Sequence, residues 1–151
     1  EIGHAHVDDS ITFPCNCGAY GCLEQIASAT GIARIAREAL AATDAPSVMR
    51  DAEEVSAKTV FDAVKVNDVI AIQVAERFGA CLGKALASFA VVADPEIIVI
   101  GGGVSKAGPV LLDYIIPTYK KYAFSGCKET KFALAELGND AGIYGAAKLV
   151  L

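Results

Sequence analysis

Apolar residues recur at every third or fourth position through the middle of the chain: Val69, Ile72, Ala75, Phe78, Leu82, Ala85, Leu86 and Phe89. That spacing predicts one long helix from about Asp68 to Val92. Gly79 and Gly83, with Ala75 and Ala87, leave room for a second element to approach closely. Asp94-Pro95 ends the helix, because proline cannot continue it and biases the preceding residue toward extended backbone. Glu96-Ile-Ile-Val-Ile100 then runs without alternation into Gly101-Gly-Gly103. Such a run predicts a strand covered on both faces. Residues 108–123 predict another helix, with Pro109 in its first turn. Pro117 marks a kink there or the helix's effective end. Lys131-Phe-Ala-Leu-Ala135 is a second strand and Leu137 to Asp140 a turn. Asp140 or Asn139 caps a last helix, Ala141 to Val150.

Upstream, residues 1–9 read as a short strand end and loop, and residues 10–21 as a cysteine-containing loop. A helical pattern begins near Cys22 with Leu23, Ile26 and Ala27. Thr30 is the expected cap of a second helix carrying Ile32, Ile35, Ala36, Ala39 and Leu40 on one face. Residues 43–56 are polar, contain Pro46 and read as a loop or a short, weak helix. Ser56-Ala-Lys-Thr opens a helix through Phe61 and Val64 that ends about Val66-Asn67. Helix, strand, glycine turn, helix, strand, helix is an α/β domain.

The 151 residues suffice for one domain with a core. Abundant alanine and glycine, and the absence of tryptophan, suit closely packed helices on a sheet. Net charge is -5 and no basic stripe occurs, which argues against direct nucleic-acid contact by this segment. No apolar run reaches the roughly twenty residues needed to cross a membrane. No signal peptide is expected, and with it a cytoplasmic setting with reduced thiols.

The chemistry concentrates near the start. His4 is followed by Cys15-Asn-Cys17-Gly-Ala-Tyr-Gly-Cys22 and then Leu23-Glu24. One imidazole and three thiolates with tight spacings form a tetrahedral zinc set. Gly18 and Gly21 let the backbone fold back, so that Cys22 reaches an ion already held by Cys17. Three cysteines within eight positions cannot all pair with one another, and reduced thiols favour metal over disulfide. His6 could replace His4. On a strand the two would point to opposite faces, so only one can serve. Cys81 and Cys127 stand apart and are expected to be inert.

Two further groups are candidates. Gly101, Gly102 and Gly103, at the carboxyl end of a buried strand, mark either a tight turn or a place where a nucleotide approaches the backbone. They match neither G-x-G-x-x-G nor a Walker loop. Glu1 and Glu24 flank the metal loop. Each is either a solvated surface glutamate or an acceptor for the vicinal hydroxyls of a sugar.

Glu1-Ile-Gly-His4 with Cys15-x-Cys17-Gly-x-x-Gly-Cys22-x-Glu24 resembles the signature of the ROK family (repressor, open reading frame, kinase). Asp94-Pro-Glu-Ile-Ile-Val-Ile-Gly-Gly-Gly-Val-Ser105 resembles its strand-and-glycine segment, and Gly138 to Ala147 its C-terminal helix. The resemblance spans the chain. It implies a bilobal actin-like ATPase fold of the ribonuclease-H type, of which this chain resembles the C-terminal lobe, with its zinc loop at about 4–22. It implies sugar contacts from Glu1, His4 and Glu24, structural zinc on His4, Cys15, Cys17 and Cys22, and nucleotide against Gly101 to Gly103. It also implies ATP with Mg as co-substrate and a homodimer. The family's N-terminal lobe, with its Asp-x-Gly-x-Thr phosphate loop and an Asn-Asp pair holding the general base, has no counterpart here. No residue of this chain is therefore assigned as catalytic. Phosphoryl transfer depends on those parts for its positioning, so these residues alone are expected to be inactive.

Three functions follow. The first is ATP-dependent phosphorylation of a hexose, as in a glucokinase or the related fructokinases and N-acetylhexosamine kinases. The second is the effector-binding part of a sugar-responsive repressor. The third is a bare zinc-stabilised sugar-binding module.

Overall fold

The computed structural model describes residues 1–137 and 140–150. The Asn139 cap and the Gly138 part of the expected turn lie outside the described residues.

The long helix forms as its spacing predicts and organises the rest. We number the helices in chain order: α1 (Glu24–Ala27), α2 (Ala29–Ala41), α3 (Ala57–Lys65), α4 (Val69–Ala93), α5 (Val110–Tyr122) and α6 (Ala141–Lys148). The strands are β1 (Ile97–Ile100) and β2 (Lys131–Leu134). Asp68 caps α4: one carboxylate oxygen accepts from the Ala71 N–H at 3.0 Å. The other accepts from the Val48 N–H at 2.8 Å, which ties in the preceding segment. That segment, read as loop or weak helix, contains a single 3-10 turn, Val48–Asp51, that buries Met49 completely. At its far end α4 stops on Asp94, whose φ of 41° is left-handed.

The buried face of α4 is broader than the expected stripe and is centred on Ile70, Val74 and Phe78, while Val69 stays exposed. The helix packs chiefly on α5, and also on α1, α2 and α3. Phe61 of α3 meets Phe78 edge to face at 5.8 Å between centroids. Where α4 meets α5, a Cβ on Gly79 would lie 2.7 Å from the Tyr114 Cβ, and one on Gly83 would lie 2.8 Å from the Thr118 Cβ. Only hydrogen in place of a side chain lets the helices come this close. α5 runs through Pro117 to Tyr122, so that proline does not end the helix. The buried Tyr119 hydroxyl donates to the Cys127 carbonyl at 2.7 Å.

β1 and β2 pair in parallel, with Ile97 opposite Lys131 and Ile100 opposite Leu134. Ile98 and Ile100 pack against the core. The other face is open, with Ile97 and Val99 exposed at 47% and 55%. The expectation of a strand covered on both faces is corrected to this extent. No helix buries Ile97 or Val99 among the described residues, and α6, which follows β2, buries none of its own described residues.

Two expectations near the start are also corrected. Residues 1–9 do not form a strand end. Ile2–His4 is a 3-10 turn, closed by the Ala5 N–H on the Ile2 carbonyl at 3.1 Å. Among the described residues, extended pairing here is limited to a single antiparallel bridge between His6 and Cys22. The cap of α2 is Ser28, not Thr30. The chain kinks at Ser28 between α1 and α2, and the Ser28 hydroxyl accepts from the Gly31 N–H at 3.0 Å. Thr30 falls inside the first turn.

Candidate functional site

The cysteine loop closes because of two left-handed glycines and a short ladder. Gly18 has φ 86° and Gly21 has φ 67°. The Gly18 N–H bonds the Cys15 carbonyl at 2.8 Å, and the Cys15 N–H bonds the Ala19 carbonyl at 2.7 Å. The incoming segment lies alongside: Val7 N–H donates to Gly21 at 2.8 Å and Leu23 N–H donates to Ala5 at 2.9 Å. These bonds bring the 3-10 turn that carries His4 against the loop.

His4, Cys15, Cys17 and Cys22 each place one ligand atom within 4.8 Å of all the others. Cys17 Sγ and Cys22 Sγ are 3.7 Å apart. Cys15 Sγ and His4 Nδ1 are also 3.7 Å apart. Tetrahedral zinc with bonds of about 2.3 Å to sulfur and 2.0–2.1 Å to nitrogen has edges of roughly 3.6–3.8 Å. The donor set and spacing therefore fit zinc. Cys15 and Cys22 are buried, Cys17 is exposed, and no cysteine of the chain is in a disulfide.

His6 is engaged elsewhere. Its Nδ1 bonds the Tyr20 carbonyl at 2.8 Å and its Nε2 bonds the Asp9 carboxylate at 2.8 Å. The Tyr20 carbonyl, followed by Asp9, pushes its pKa up. It staples the incoming segment to the loop and does not join the cluster. Cys81 lies half-buried on α4, and burial pushes its thiol up to about 11. Cys127 is buried, with its thiol donating to the Ala90 carbonyl at 3.5 Å.

His4 has two faces. Nδ1 looks toward the cysteines, while Nε2 lies 3.6 Å from the Glu1 carboxylate. Glu24, in the first turn of α1, reaches the same place: its Oε1 is 4.0 Å from His4 Nδ1 and accepts from the Cys15 thiol at 2.9 Å. The Cys17 amide lowers the Cys15 thiol, but Glu24 and burial outweigh it and push the thiol up to about 12. Glu1 thus stands at the Nε2 side of His4 and Glu24 at its Nδ1 side, and all three side chains reach solvent. Two carboxylates and an imidazole there can accept from hydroxyls or donate to their oxygens. On its other flank Glu24 lines an open cleft of about 370 Å³, with Phe13, Asn16, Ser28 and Arg34.

Gly101, Gly102 and Gly103 form an exposed turn after β1, with Gly102 at φ 72°. A Cβ on Gly102 would meet nothing within 4 Å, and one on Gly103 would lie 3.5 Å from Ala29 at the start of α2. The glycine turn is therefore open to a ligand and adjoins the helix pair that carries Glu24. Two neighbours of the cluster escape sequence reading: Gln25, buried directly after Glu24, and Arg34, stacked 4.6 Å over the Phe13 ring. A glutamine on the four-residue α1 and an arginine on the 13-residue α2 carry no signal of these contacts until the loop folds over them.

The chain belongs to the ROK family, whose model matches residues 1–151. It is 44% identical to a glucokinase of Halalkalibacterium halodurans over 99% of this chain and 47% of that protein. It is 29% identical to the DNA-binding transcriptional repressor Mlc of Escherichia coli over 97% of this chain and 36% of that protein. Among solved structures it matches a ROK family glucokinase from Streptomyces griseus, determined with glucose and AMPPNP. The TM-score is 0.85 at 30% identity, over 99% of this chain and 50% of that one. The chain thus has the sugar-kinase, actin-like ATPase fold and spans about half the length of the curated relatives it matches. No helix among the described residues is long and apolar enough to cross a membrane.

Proposed function

We propose that this chain is the C-terminal, sugar-gripping lobe of an ATP-dependent hexose kinase of the glucokinase type. The observation that carries the reading is the double-faced His4. One ring nitrogen meets the cysteine cluster and the other meets Glu1, with Glu24 closing the patch. A sugar placed there would be held by the Glu1 and Glu24 carboxylates and by His4 Nε2. Zinc on His4 Nδ1, Cys15, Cys17 and Cys22 would supply structural cross-linking of a loop that has little apolar surface of its own. The tautomer and orientation of His4 are then set before sugar arrives.

The nucleotide, as ATP with Mg, would lie along Gly101 to Gly103, whose open backbone permits close approach. This chain binds and orients. The general base and the phosphate loop belong to an N-terminal lobe outside these 151 residues, on which the phosphoryl step depends for its positioning. The coverage of about half of the glucokinase relatives and the open face of β1 both support a second lobe. We further propose a cytoplasmic homodimer, in keeping with the free cysteines.

The test is ADP release with glucose, fructose, mannose and N-acetylhexosamines, from the full protein and from this chain alone. Turnover by the full protein only is expected. In the full protein Glu24→Ala should raise the sugar KM about 10–100-fold, as loss of a hydrogen bond to a charged group of 1.5–3 kcal/mol requires. The ATP KM should stay unchanged. Turnover by the chain alone would place a base within it. Sugar-dependent DNA binding without turnover would assign the chain to a repressor.

A further inference from the structure

Gln25 directly follows Glu24, yet it is only 8% exposed. Its side-chain oxygen accepts from the Cys22 N–H at 3.0 Å, and its side-chain NH2 donates to the Phe13 carbonyl at 3.1 Å. One amide therefore joins both stems of the cysteine loop, at a ligand on one side and two residues before a ligand on the other. Only one orientation of the amide satisfies both bonds.

The main chain of Gln25 is pinned as well. Its carbonyl accepts from an Arg34 guanidinium N–H at 2.8 Å. Arg34 in turn stacks over Phe13 and pairs with Glu38 one turn along α2 at 2.5 Å. A Cβ on Gly31 would come within 2.7 Å of the same Gln25 carbonyl, so α2 presses directly on this peptide. A Cβ on Gly31 would also lie 2.9 Å from the Glu24 carbonyl, so α2 fixes the backbone on both sides of Gln25, while the Gln25 side chain fixes the loop.

We propose that Gln25, held by Arg34, is a positioning residue that sets the cysteine triad and the Glu24 carboxylate in one frame. Metal affinity and sugar affinity then depend on the same amide. The inference rests on the zinc-and-sugar reading above and adds the residue that couples its two halves. Metal-site geometry tolerates errors of only about 0.2 Å in ligand distance, and groups behind the ligands typically change metal affinity 10–100-fold when removed. A loop whose two stems meet at one side-chain amide, beside its backbone ladder, is sensitive to that amide in this way.

The test uses the full protein. Gln25→Met keeps the length of the side chain but offers neither bond. Its zinc affinity, measured by competition with a chromophoric chelator, should fall about 10–100-fold. The visible spectrum of the cobalt-substituted protein should shift, and the glucose KM should rise several-fold while the ATP KM stays put. Gln25→Glu keeps the acceptor for Cys22 but sets a carboxylate oxygen against the Phe13 carbonyl. It should show a smaller change of the same kind, and it decides the matter if Gln25→Met does not fold. A folded variant with wild-type zinc affinity and wild-type glucose KM overturns the proposal, even if its melting temperature drops. Wild-type protein that takes up no zinc overturns the metal reading itself, and the proposal with it.

Discussion

The Nε2 atom of His4 lies 3.6 Å from the Glu1 carboxylate, on the side of the ring turned away from the cysteines. One imidazole therefore serves two neighbourhoods, and substitution can separate them. His4→Cys keeps a four-ligand soft set and should retain about one zinc per chain in metal analysis. The sugar KM should nevertheless rise, because a thiolate committed to metal offers no second ring nitrogen. His4→Ala should lose both. Equal sugar KM in His4→Cys and wild type would remove His4 from sugar binding.

Gly21 holds the loop and the His6 staple together. Its φ is 67°, and a Cβ there would fall 2.6 Å from the His6 ring. Alanine would meet the left-handed penalty of about 1–2 kcal/mol and would also displace the staple. Gly21→Ala should lower both the melting temperature and zinc occupancy. Gly18→Ala, at a φ of 86° with no atom within 4 Å, should bear the backbone penalty alone and keep its zinc. Equal behaviour of the two variants in metal analysis would contradict this division.

Gly79 sets the approach of α4 and α5. Gly79→Ala should cost about 1–3 kcal/mol by overpacking, although alanine is the better helix former by about 1 kcal/mol. The obstacle is the backbone and Cβ of Tyr114, which cannot swing aside as a flexible side-chain tip can. Urea unfolding with an unchanged m-value measures it. A stabilised Gly79→Ala would mean the helices can separate at no cost.

Asp68 links two segments through one carboxylate. Burial acts to raise its pKa, but the N–H groups of Ala71 and Val48 and the Ser47 hydroxyl outweigh it and hold the group below its ordinary 3.8. A depressed folded pKa contributes stability that is present above the unfolded value and lost as pH falls through the folded value. Asp68→Ala should cost about 1–2 kcal/mol at neutral pH, the usual cost of losing a helix cap. Asp68→Asn should keep much of the cap while flattening the acid limb of the stability curve below about pH 4. An unchanged acid limb in Asp68→Asn would locate the acid sensitivity elsewhere.

Much of the chain was legible in one dimension because the responsible forces are local. Three- and four-residue apolar spacing sufficed for α4, since a long amphipathic stretch has few other ways to bury its face. Ser56 opened α3 as expected, because a capping box needs only residues three apart. The interval between Cys15, Cys17 and Cys22, with glycines at 18 and 21, announced a closed loop with soft ligands. Tertiary structure decided what depends on partners distant in sequence. The choice of His4 over His6 rests on Tyr20 and Asp9 engaging the His6 ring. The move of the α2 cap from Thr30 to Ser28 follows from the kink that separates α1 from α2. The open face of β1 could not be read from Ile97 to Ile100, because an apolar run states what a strand can bury and leaves unsaid what covers it. Gln25 and Arg34 are ordinary residues for helices. Their role exists only because the cysteine loop folds back over α1 and brings Phe13 and Cys22 to one side chain.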